Sequence, residues 1–426
     1  MKVRRLLAPA ILVCSGPVLL YLFHGTAGGF FAADDFQWLT GARDGSWADI
    51  LAIGDGARFY RPVVRLWFVG AVSACGPSSS CYHLIHLALH VLNGLLLFTL
   101  TLLVSRDRFT PAAATLIFMA MPGYVEAVQW VCAATEVLSA TFILLTAIVT
   151  LLAADTRRPA LWWLAAGCAL LAVFAHESGV AALVLVPCLL VLTGRREMLQ
   201  IRRLWPFATV GAIFVLAVAL ANWRNPLLTT GDYRLGPHMV RHALDYVASL
   251  YVGPHAAIGY VASAAALAAV AALGSTPARV GLMWMVVTML PFLGFLSGVT
   301  SRYQYAPAMG FALMVAALFA ALLSALERRT SRLAAAAVVG LCLVFTVGRF
   351  AGFTGEAIRD RLAWFDAYRA YADAFRSEHP VLPEDGHITA PAPQHPNVMP
   401  AYIQPMLRWT YQRGDLIVTV APTLSR

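Results

Sequence analysis

Two adjacent carboxylates follow the first apolar stretch of the chain. Asp34 and Asp35 lie in the segment 30–39, which reads FFAADDFQWL. The aromatic side chains are typical anchors at a membrane interface, whereas nothing structural requires a pair of acids there. One acid of such a pair can accept a proton while the other holds a metal ion or orients an acceptor. The alternative interpretation is a solvated loop start or a helix N-cap before Gln37.

An arginine stands directly before a proline at Arg61 and Pro62. Proline is favoured in the first turn of a helix, so we expect a half-amphipathic interfacial helix to begin there. A guanidinium on this side can hold a phosphate group through two parallel hydrogen bonds. The alternative is that the Arg61 side chain only places its charge at the polar membrane interface and binds no phosphate.

More ionisable residues stand at the ends of later apolar stretches. They are Glu126, Glu136, His176, Glu177, Arg302 and the neighbouring Tyr303. A charge at the membrane edge is costly unless it is paired or solvated, so we expect these side chains to meet. Acids and arginines that converge outside an apolar bundle suit an anionic substrate carried by a lipid.

Polar residues recur along the second apolar stretch as His83, His86, His90 and Asn93. This spacing places them on one narrow face of a helix, and such a stripe faces the bundle or a cavity. Without a nearby cysteine or carboxylate, the three histidines are a weak zinc motif. We therefore expect an interhelical hydrogen-bonded seam, with His83 nearest the outer mouth.

The composition indicates what positions these residues. Of the 426 residues, 60% are hydrophobic and 12% are charged, about half the charged fraction of an average soluble domain. We therefore expect an all-α membrane protein rather than a soluble one. Eleven apolar ranges are candidate spans: 6–23, 83–104, 110–122, 136–153, 160–175, 179–193, 204–222, 256–273, 280–297, 307–325 and 333–348.

The net charge of +9 is distributed unevenly along the chain. Fifteen basic and four acidic residues lie in the alternate connecting segments that begin at Lys2, Arg106, Asp155, Gly194, Gly274 and Glu327. The positive-inside rule places these segments in the cytoplasm. The basic residues thus orient the chain and do not indicate nucleic-acid binding. We expect a multi-pass protein of a bacterial inner membrane, with a cytoplasmic N-terminus and a periplasmic C-terminus.

The longest polar segments all fall on the predicted outer side. We expect a membrane domain at 1–348, with a large first periplasmic loop at 24–82, followed by a small periplasmic segment at 349–426. Within that segment, 359–377 predicts an amphipathic helix and 415–420 a strand. The proline-rich residues between them predict an extended chain.

Two further features of the first 82 residues leave alternatives open. The basic start and the small residues Ala32 and Ala33 would suit a cleaved signal peptide, but we favour an uncleaved first span. Cys75 and Cys81 flank a short polar turn, where a disulfide and two free thiols are equally compatible with the sequence.

Taken in order, these stretches resemble the GT-C superfamily of polytopic membrane glycosyltransferases. They are most similar to the transmembrane O-mannosyltransferases that carry tetratricopeptide repeats and to their bacterial relatives, although no such repeat follows Trp364. The matching residues are Asp34-Asp35-Phe36, Arg61-Pro62, Gly76-Pro77, Tyr82-His83-Leu84 with His90, Pro122 with Glu126-Ala127-Val128-Gln129-Trp130, Glu177-Ser178-Gly179 and Arg302-Tyr303-Gln304-Tyr305.

The resemblance implies a fold of about eleven transmembrane helices and an inverting sugar transfer. Asp34 or Asp35 would be the base, and a polyprenyl-phosphate-linked sugar would be the donor. The resemblance places Arg61, His176 and Arg302 at the donor phosphate. It places His83, Glu126, Glu136, Glu177 and Tyr303 around the acceptor or in support.

The resemblance leaves the other partners open. The acceptor is a glycan, a lipid or a protein, and membrane lipids surround the bundle. It also leaves open whether a divalent metal, Mg or Mn, takes part, with Asp35 and Glu177 as the candidate ligands.

Three other functions are compatible with a polytopic chain. A transporter or flippase would carry ionisable residues near the bilayer midplane and broken helices at repeated positions. A lipid-linked glycan ligase or polymerase would rely on a large external loop late in the chain. A non-catalytic scaffold would leave Asp34 and Asp35 in solvent. The acids at the outer edge favour the glycosyltransferase.

Overall fold

The computed structural model describes residues 2–51, 59–221, 231–253 and 255–421. Parts of the predicted external segments 24–82, 223–255 and 349–426 therefore lie outside the described residues. In chain order the helices are α1 (Lys2–Phe23), α2 (Asp35–Asp44), α3 (Trp47–Leu51), α4 (Pro62–Cys75), α5 (Ser79–Val104), α6 (Phe109–Ala120), α7 (Val125–Gln129), α8 (Ala134–Thr156), α9 (Pro159–Ala175), α10 (Ala181–Leu192), α11 (Ile201–Ala221), α12 (His238–Tyr251), α13 (Ala257–Leu273), α14 (Thr276–Met289), α15 (Tyr305–Glu327), α16 (Arg332–Glu378) and α17 (Ile403–Thr410).

Each of the eleven apolar ranges overlaps a helix over most of its described residues, so the prediction of an all-α apolar bundle is confirmed. By length and composition, five described helical segments can cross a bilayer. They are Ser79–Val104, Val131–Thr156, Ile201–Leu220, Ser301–Glu327 and Arg332–Glu378. Other apolar helices, such as Phe109–Ala120, are shorter. That eleven helices cross the membrane stays a prediction.

The last long helix differs from the sequence prediction. The sequence predicts a span at 333–348 and a separate amphipathic helix at 359–377, whereas α16 is one helix of 47 residues. At 1.5 Å per residue it is about 70 Å long, more than twice the hydrocarbon thickness of a bilayer. No proline interrupts it, and Thr354 at the junction is buried and donates a hydrogen bond to the Ala120 carbonyl at 2.7 Å. The helix thus continues beyond the apolar stretch and contacts the end of α6 at the junction.

The end of the bundle that carries the first loop has a hydrophobic core of its own, which we call the loop-side core. It joins the first loop, the second half of α16 and α17. Its large buried side chains include Phe31, Phe36, Phe68, Tyr82, Phe365, Tyr368 and Trp409. The C-terminal segment is thus packed against the first loop.

A two-stranded parallel sheet lies within the C-terminal segment. Strand β1 (His387–Ala390) pairs with β2 (Ile417–Val420), with His387 opposite Ile417. The strand predicted at 415–420 is therefore confirmed, and its partner comes from the chain predicted to be extended. The division into two domains stays a prediction. The single helix α16 continues through the predicted boundary between residues 348 and 349.

The turn between α4 and α5 is closed by a disulfide. Cys75 ends α4, Cys81 lies in the first turn of α5, and the two are bonded. The Tyr82 hydroxyl also donates to the Gly76 carbonyl at 2.9 Å. The sequence alone does not distinguish this disulfide from two free thiols.

The polar stripe on α5 forms the expected seam. His83 donates from Nε2 to the Phe30 carbonyl at 3.2 Å, and His86 donates from Nδ1 to the Val128 carbonyl at 3.0 Å. Both imidazoles are fully buried. They therefore tie α5 to the first loop and to α7.

The deeper part of the stripe bonds to α15 and α8. His90 Nδ1 lies 2.9 Å from the Tyr305 hydroxyl, to which the Asn93 amide also donates at 3.1 Å. The same amide lies 3.1 Å from the Val137 carbonyl. The prediction of an interhelical seam is confirmed.

Candidate active site

A cavity of about 1400 Å³ opens beside the first loop. Seven of the ten predicted site residues line it: Asp34, Arg61, Glu136, His176, Glu177, Arg302 and Tyr303. The other three, Asp35, His83 and Glu126, lie outside the lining formed by the described residues. A large open cavity lined by both acidic and basic groups can accommodate a lipid-linked anion and a second substrate.

The two adjacent acids of the first loop are placed differently. Asp34 is half-buried in the cavity wall, at the N-cap position of α2, where its side chain makes no capping hydrogen bond. Asp35 is fully buried. Its Oδ2 accepts the Ala32 N–H at 2.9 Å, and its Oδ1 accepts the Cys132 N–H at 2.6 Å. Asp35 thus joins the first loop to the turn before α8.

An unusual backbone conformation directly precedes the two acids. Ala33 has φ +48°, a left-handed conformation that residues with a side chain adopt rarely. It stands between the N–H of Ala32 and the carboxylate of Asp34. Conformations of this kind persist where the surroundings fix them, as Asp35 does here.

Burial raises the pKa of Asp35 well above its usual range, and the Ala32 and Cys132 N–H donors and the Arg361 charge only partly oppose that shift. Both oxygens nevertheless act as acceptors. The geometry makes Asp35 an anchor of the loop.

Arg61 and Glu177 form a partly buried ion pair in the cavity wall. Pro62 occupies the first position of α4, so Arg61 is fixed at its N-cap. Its Nη2 and Nε donate to Glu177 Oε2 at 2.6 and 3.0 Å, and the two side chains are 12% and 23% exposed. Burial alone would lower the pKa of Arg61, but the Glu177 carboxylate outweighs it and the pKa rises. Arg61 therefore carries a fixed positive charge.

His176 is held between two neighbours. Its Nδ1 accepts the Ser178 N–H at 3.1 Å and contacts the Ser178 hydroxyl at 2.8 Å. Its Nε2 must then carry the proton and donate to Glu136 Oε1, at 3.2 Å. Burial, reinforced by the positive charges of Arg61 and Arg302, lowers the pKa of His176 well below its usual value. The imidazole is therefore neutral at physiological pH.

Arg302 is fixed by a carboxylate and by aromatic rings. Its Nη1 donates to Glu126 Oε1 at 2.7 Å, and its Nη2 lies 3.3 Å from the Tyr303 hydroxyl. The guanidinium stands 5.2 Å from the Trp130 ring centre and 4.7 Å from that of Tyr303. Cation–π contacts of this kind hold a guanidinium in place without using up its N–H donors.

Glu126 also binds a second arginine, which sequence analysis missed. Arg361 of α16 approaches Glu126 Oε2 at 3.5 Å. Glu126 thus lies behind the cavity wall, between the two guanidiniums. Arg361 lies in the predicted amphipathic helix at 359–377. Arginines are common on the charged face of such a helix, so the sequence does not single it out.

Tyr402 is another cavity residue that sequence analysis missed. It lines the cavity together with Ala401, as Asp34 does. Burial raises the pKa of Tyr402, and the Asp34 carboxylate adds to the shift. No pattern in the sequence links a tyrosine of the C-terminal segment to the first loop.

The described residues do not fit a divalent metal. They contain no group of three histidine, cysteine or acidic side chains that could hold one. Of the two candidate ligands, Asp35 is occupied by backbone N–H groups and Glu177 by Arg61. Magnesium and manganese would need several free oxygen ligands.

The sequence matches no protein-family model and no curated protein. The structure does resemble solved ones. ArnT from Cupriavidus metallidurans, bound to undecaprenyl phosphate, is 15% identical with a TM-score of 0.56, over 96% of this chain and 85% of ArnT. The oligosaccharyltransferase AglB from Archaeoglobus fulgidus, with an inhibitory peptide and dolichol-phosphate, is 13% identical with a TM-score of 0.56. That match covers 95% of this chain and 64% of AglB, so the chain spans less than two thirds of AglB.

Both similar proteins are polyprenyl-phosphate-dependent membrane glycosyltransferases of the GT-C superfamily. The chain therefore has the GT-C fold, and the resemblance found in its sequence is confirmed at the level of the fold.

Proposed function

We propose that the protein is a glycosyltransferase that moves a sugar from a polyprenyl-phosphate donor to an acceptor. The transfer takes place on the side of the membrane that carries the first loop. One observation carries the proposal: Asp34 lines the same cavity as two fixed guanidiniums, Arg61 and Arg302. This arrangement supports a role for Asp34 as the base and for the two arginines as phosphate ligands, since all three border one space. The fold shared with ArnT and AglB supports the same chemistry.

Asp34 is the proposed general base. Its carboxylate takes the proton of an acceptor hydroxyl or amine as that atom bonds to the anomeric carbon. The bond between that carbon and the phosphate oxygen breaks, and the lipid phosphate leaves with the bonding electron pair. Attack from the opposite side inverts the anomeric centre. Asp35 acts indirectly, by fixing the loop that presents Asp34.

Arg61 and Arg302 are the proposed donor-phosphate ligands. A guanidinium has five N–H donors, and the contacts with Glu177, Glu126 and Tyr303 leave some of them free. Both arginines line the same cavity as His176. Fixed positive charge is most effective where the leaving phosphate gains negative charge.

The remaining predicted residues support these groups. Both ring nitrogens of His176 are engaged, so we assign it to holding Glu136 rather than to contacting phosphate. Glu136, Glu177 and Tyr303 line the cavity, where the acceptor would bind. Glu126 orients Arg302, and His83 fixes the start of the first loop.

The orientation predicted from charge places the cavity in the periplasm of a bacterial inner membrane. The donor is then a lipid of the outer leaflet, and the acceptor is a periplasmic glycan, lipid or protein. A ligase or polymerase would use the same donor class, but its catalysis would not depend on the first-loop acid.

A transfer assay tests this proposal. Purified protein in lipid nanodiscs is incubated with a panel of undecaprenyl-phosphate-linked hexoses and pentoses and with a bacterial membrane extract. We expect release of undecaprenyl phosphate, with the sugar transferred to extract material, for at least one donor. The proposal is overturned if no donor turns over and undecaprenyl phosphate itself does not bind.

A further inference from the structure

Glu126 lies between two arginines that belong to different elements. Its Oε1 accepts a hydrogen bond from Arg302 Nη1 at 2.7 Å, and its Oε2 lies 3.5 Å from Nη2 of Arg361 on α16. The Glu126 side chain is 10% exposed, so these ion pairs are screened by solvent less than surface pairs are. Arg302 lines the cavity, whereas Arg361 lies outside the cavity lining of the described residues. One carboxylate thus connects α16 to a proposed phosphate ligand.

Two tryptophans connect the same two arginines along a second path. The Arg361 guanidinium stands 4.8 Å from the centre of the Trp364 ring, and the Arg302 guanidinium stands 5.2 Å from that of Trp130. The two indoles pack edge to face, with their ring centres 5.5 Å apart. The contacts therefore close into one ring of side chains, which we call the Arg361 circuit: Arg302, Glu126, Arg361, Trp364 and Trp130.

The circuit is tied to the backbone on both of its sides. On one side, α16 is continuous through Arg361, and the Trp364 indole donates to the Asn397 carbonyl at 3.3 Å. On the other side, the Trp130 indole donates to the Ala32 carbonyl of the first loop at 3.1 Å. The Arg361 side chain is therefore held beside Glu126 by packing on both the C-terminal segment and the first loop.

Arg361 determines how many N–H donors Arg302 has to give to Glu126. A carboxylate and a guanidinium pair most strongly through two parallel hydrogen bonds. Here Arg302 donates to Glu126 through Nη1, while its Nη2 lies 3.3 Å from the Tyr303 hydroxyl. If Arg361 were absent, Glu126 Oε2 would lose its positive partner, and a second N–H of Arg302 would have to satisfy it. The Arg302 charge would then be offset by a whole carboxylate.

We infer that Arg361 is a positioning residue that holds the second oxygen of Glu126 and thereby keeps the charge and N–H donors of Arg302 available to the donor phosphate. The inference rests on the proposed function, in which Arg302 binds that phosphate. Arg361 itself does not touch the substrate and acts through Glu126. The second half of α16 is on this view part of the donor site.

A double-mutant cycle tests the inference in the full-length protein in lipid nanodiscs, with undecaprenyl phosphate as the ligand. For Arg361→Gln we expect the affinity to fall about fivefold, within the range for residues coupled in one ion-pair network. In Glu126→Gln there is no carboxylate charge to hold, so adding Arg361→Gln should change the affinity by less than about twofold. If Arg361→Gln does not fold, Arg361→Met, which keeps the apolar stem beside Trp364, takes its place in the cycle.

Arg369→Gln is the matched control on the same helix. Arg369 pairs with Asp366 at 3.7 Å and stands 5.5 Å from the centre of the Phe30 ring, so it combines an ion pair with a ring contact as Arg361 does. It also lies outside the cavity lining of the described residues. Arg369→Gln should therefore bind undecaprenyl phosphate as the wild type does. The melting temperature of each variant checks that it is folded.

Three results overturn the inference alone, given a wild type that binds undecaprenyl phosphate. The first is wild-type affinity in Arg361→Gln. The second is the same loss on adding Arg361→Gln to Glu126→Gln, which would show that Arg361 does not act through that carboxylate. The third is an equal loss in Arg369→Gln, which would make the role of these arginines purely structural. A wild type that transfers no sugar and binds no undecaprenyl phosphate overturns the proposed function instead, and the inference with it.

Discussion

Asp34 and Asp35 are neighbours in the chain, but their carboxylates lie in different environments. Asp34 borders the cavity, and Asp35 is fully buried, with both oxygens accepting backbone N–H groups of Ala32 and Cys132. The left-handed backbone at Ala33 precedes the pair. One residue is thus available for chemistry, and the other keeps it in place.

Replacing Asp35 should affect stability more than chemistry. Asp35→Asn loses one acceptor oxygen and turns an NH₂ group toward a backbone N–H. A buried donor left without a partner costs about 1–3 kcal/mol. We expect a lower melting temperature in detergent and a near-normal kcat for the protein that remains folded. If Asp35→Asn melts like the wild type but transfers no sugar, Asp35 rather than Asp34 is the general base.

The Arg61–Glu177 pair gives two variants with opposite expected effects. Arg61→Gln removes a proposed phosphate ligand, so the affinity for undecaprenyl phosphate should fall about tenfold, or 1.4 kcal/mol. Glu177→Gln removes the negative charge that competes with phosphate, so the affinity should rise. Binding is measured with undecaprenyl phosphate alone. A similar fall in both variants would show that the pair only supports the structure.

His176 makes stability depend on pH. Its pKa is lowered in the folded protein, so the unfolded chain binds a proton that the folded one excludes. The resulting stability is present above about pH 6.5, the ordinary histidine value, and is lost as the pH falls below it, by up to about 1.4 kcal/mol per pH unit. The difference in melting temperature between wild type and His176→Gln should therefore shrink as the pH falls from 7 to 5. A constant difference in melting temperature would contradict this.

The disulfide should contribute measurably to stability. Closing so short a loop stabilises the fold by about 2 kcal/mol in the chain-entropy account. Cys75→Ser with Cys81→Ser should lower the unfolding free energy by about that amount. Alkylation of unreduced membranes should leave both thiols unmodified. Rapid alkylation of Cys75 and Cys81 there would contradict both the bond and the oxidising compartment expected from the predicted orientation.

Much of the fold could be predicted because burial in a membrane leaves a strong pattern. The positions of the apolar helices follow from hydrophobicity, and the seam of His83, His86, His90 and Asn93 follows from helical periodicity. The continuity of α16 could not be predicted. The junction packs in the tertiary structure, where Thr354 bonds to Ala120, a residue more than two hundred positions away.

The candidate site was only partly predictable for the same reason. Charged residues at the ends of apolar stretches were expected to meet, and Arg61 does pair with Glu177. The sequence could not distinguish Asp34 from Asp35, because the burial of Asp35 involves tertiary contacts such as the hydrogen bond from the Cys132 N–H. Tyr402 and Arg361 reach the site only through tertiary packing.

The most direct test of the central claim is the rate of sugar transfer by Asp34→Asn. The control is Asp366→Asn, which removes an exposed acid on α16. We predict that Asp34→Asn loses transfer by about a hundredfold or more, as expected for a general base, while its melting temperature and undecaprenyl phosphate binding match the control. Transfer by Asp34→Asn at the rate of Asp366→Asn would contradict the account.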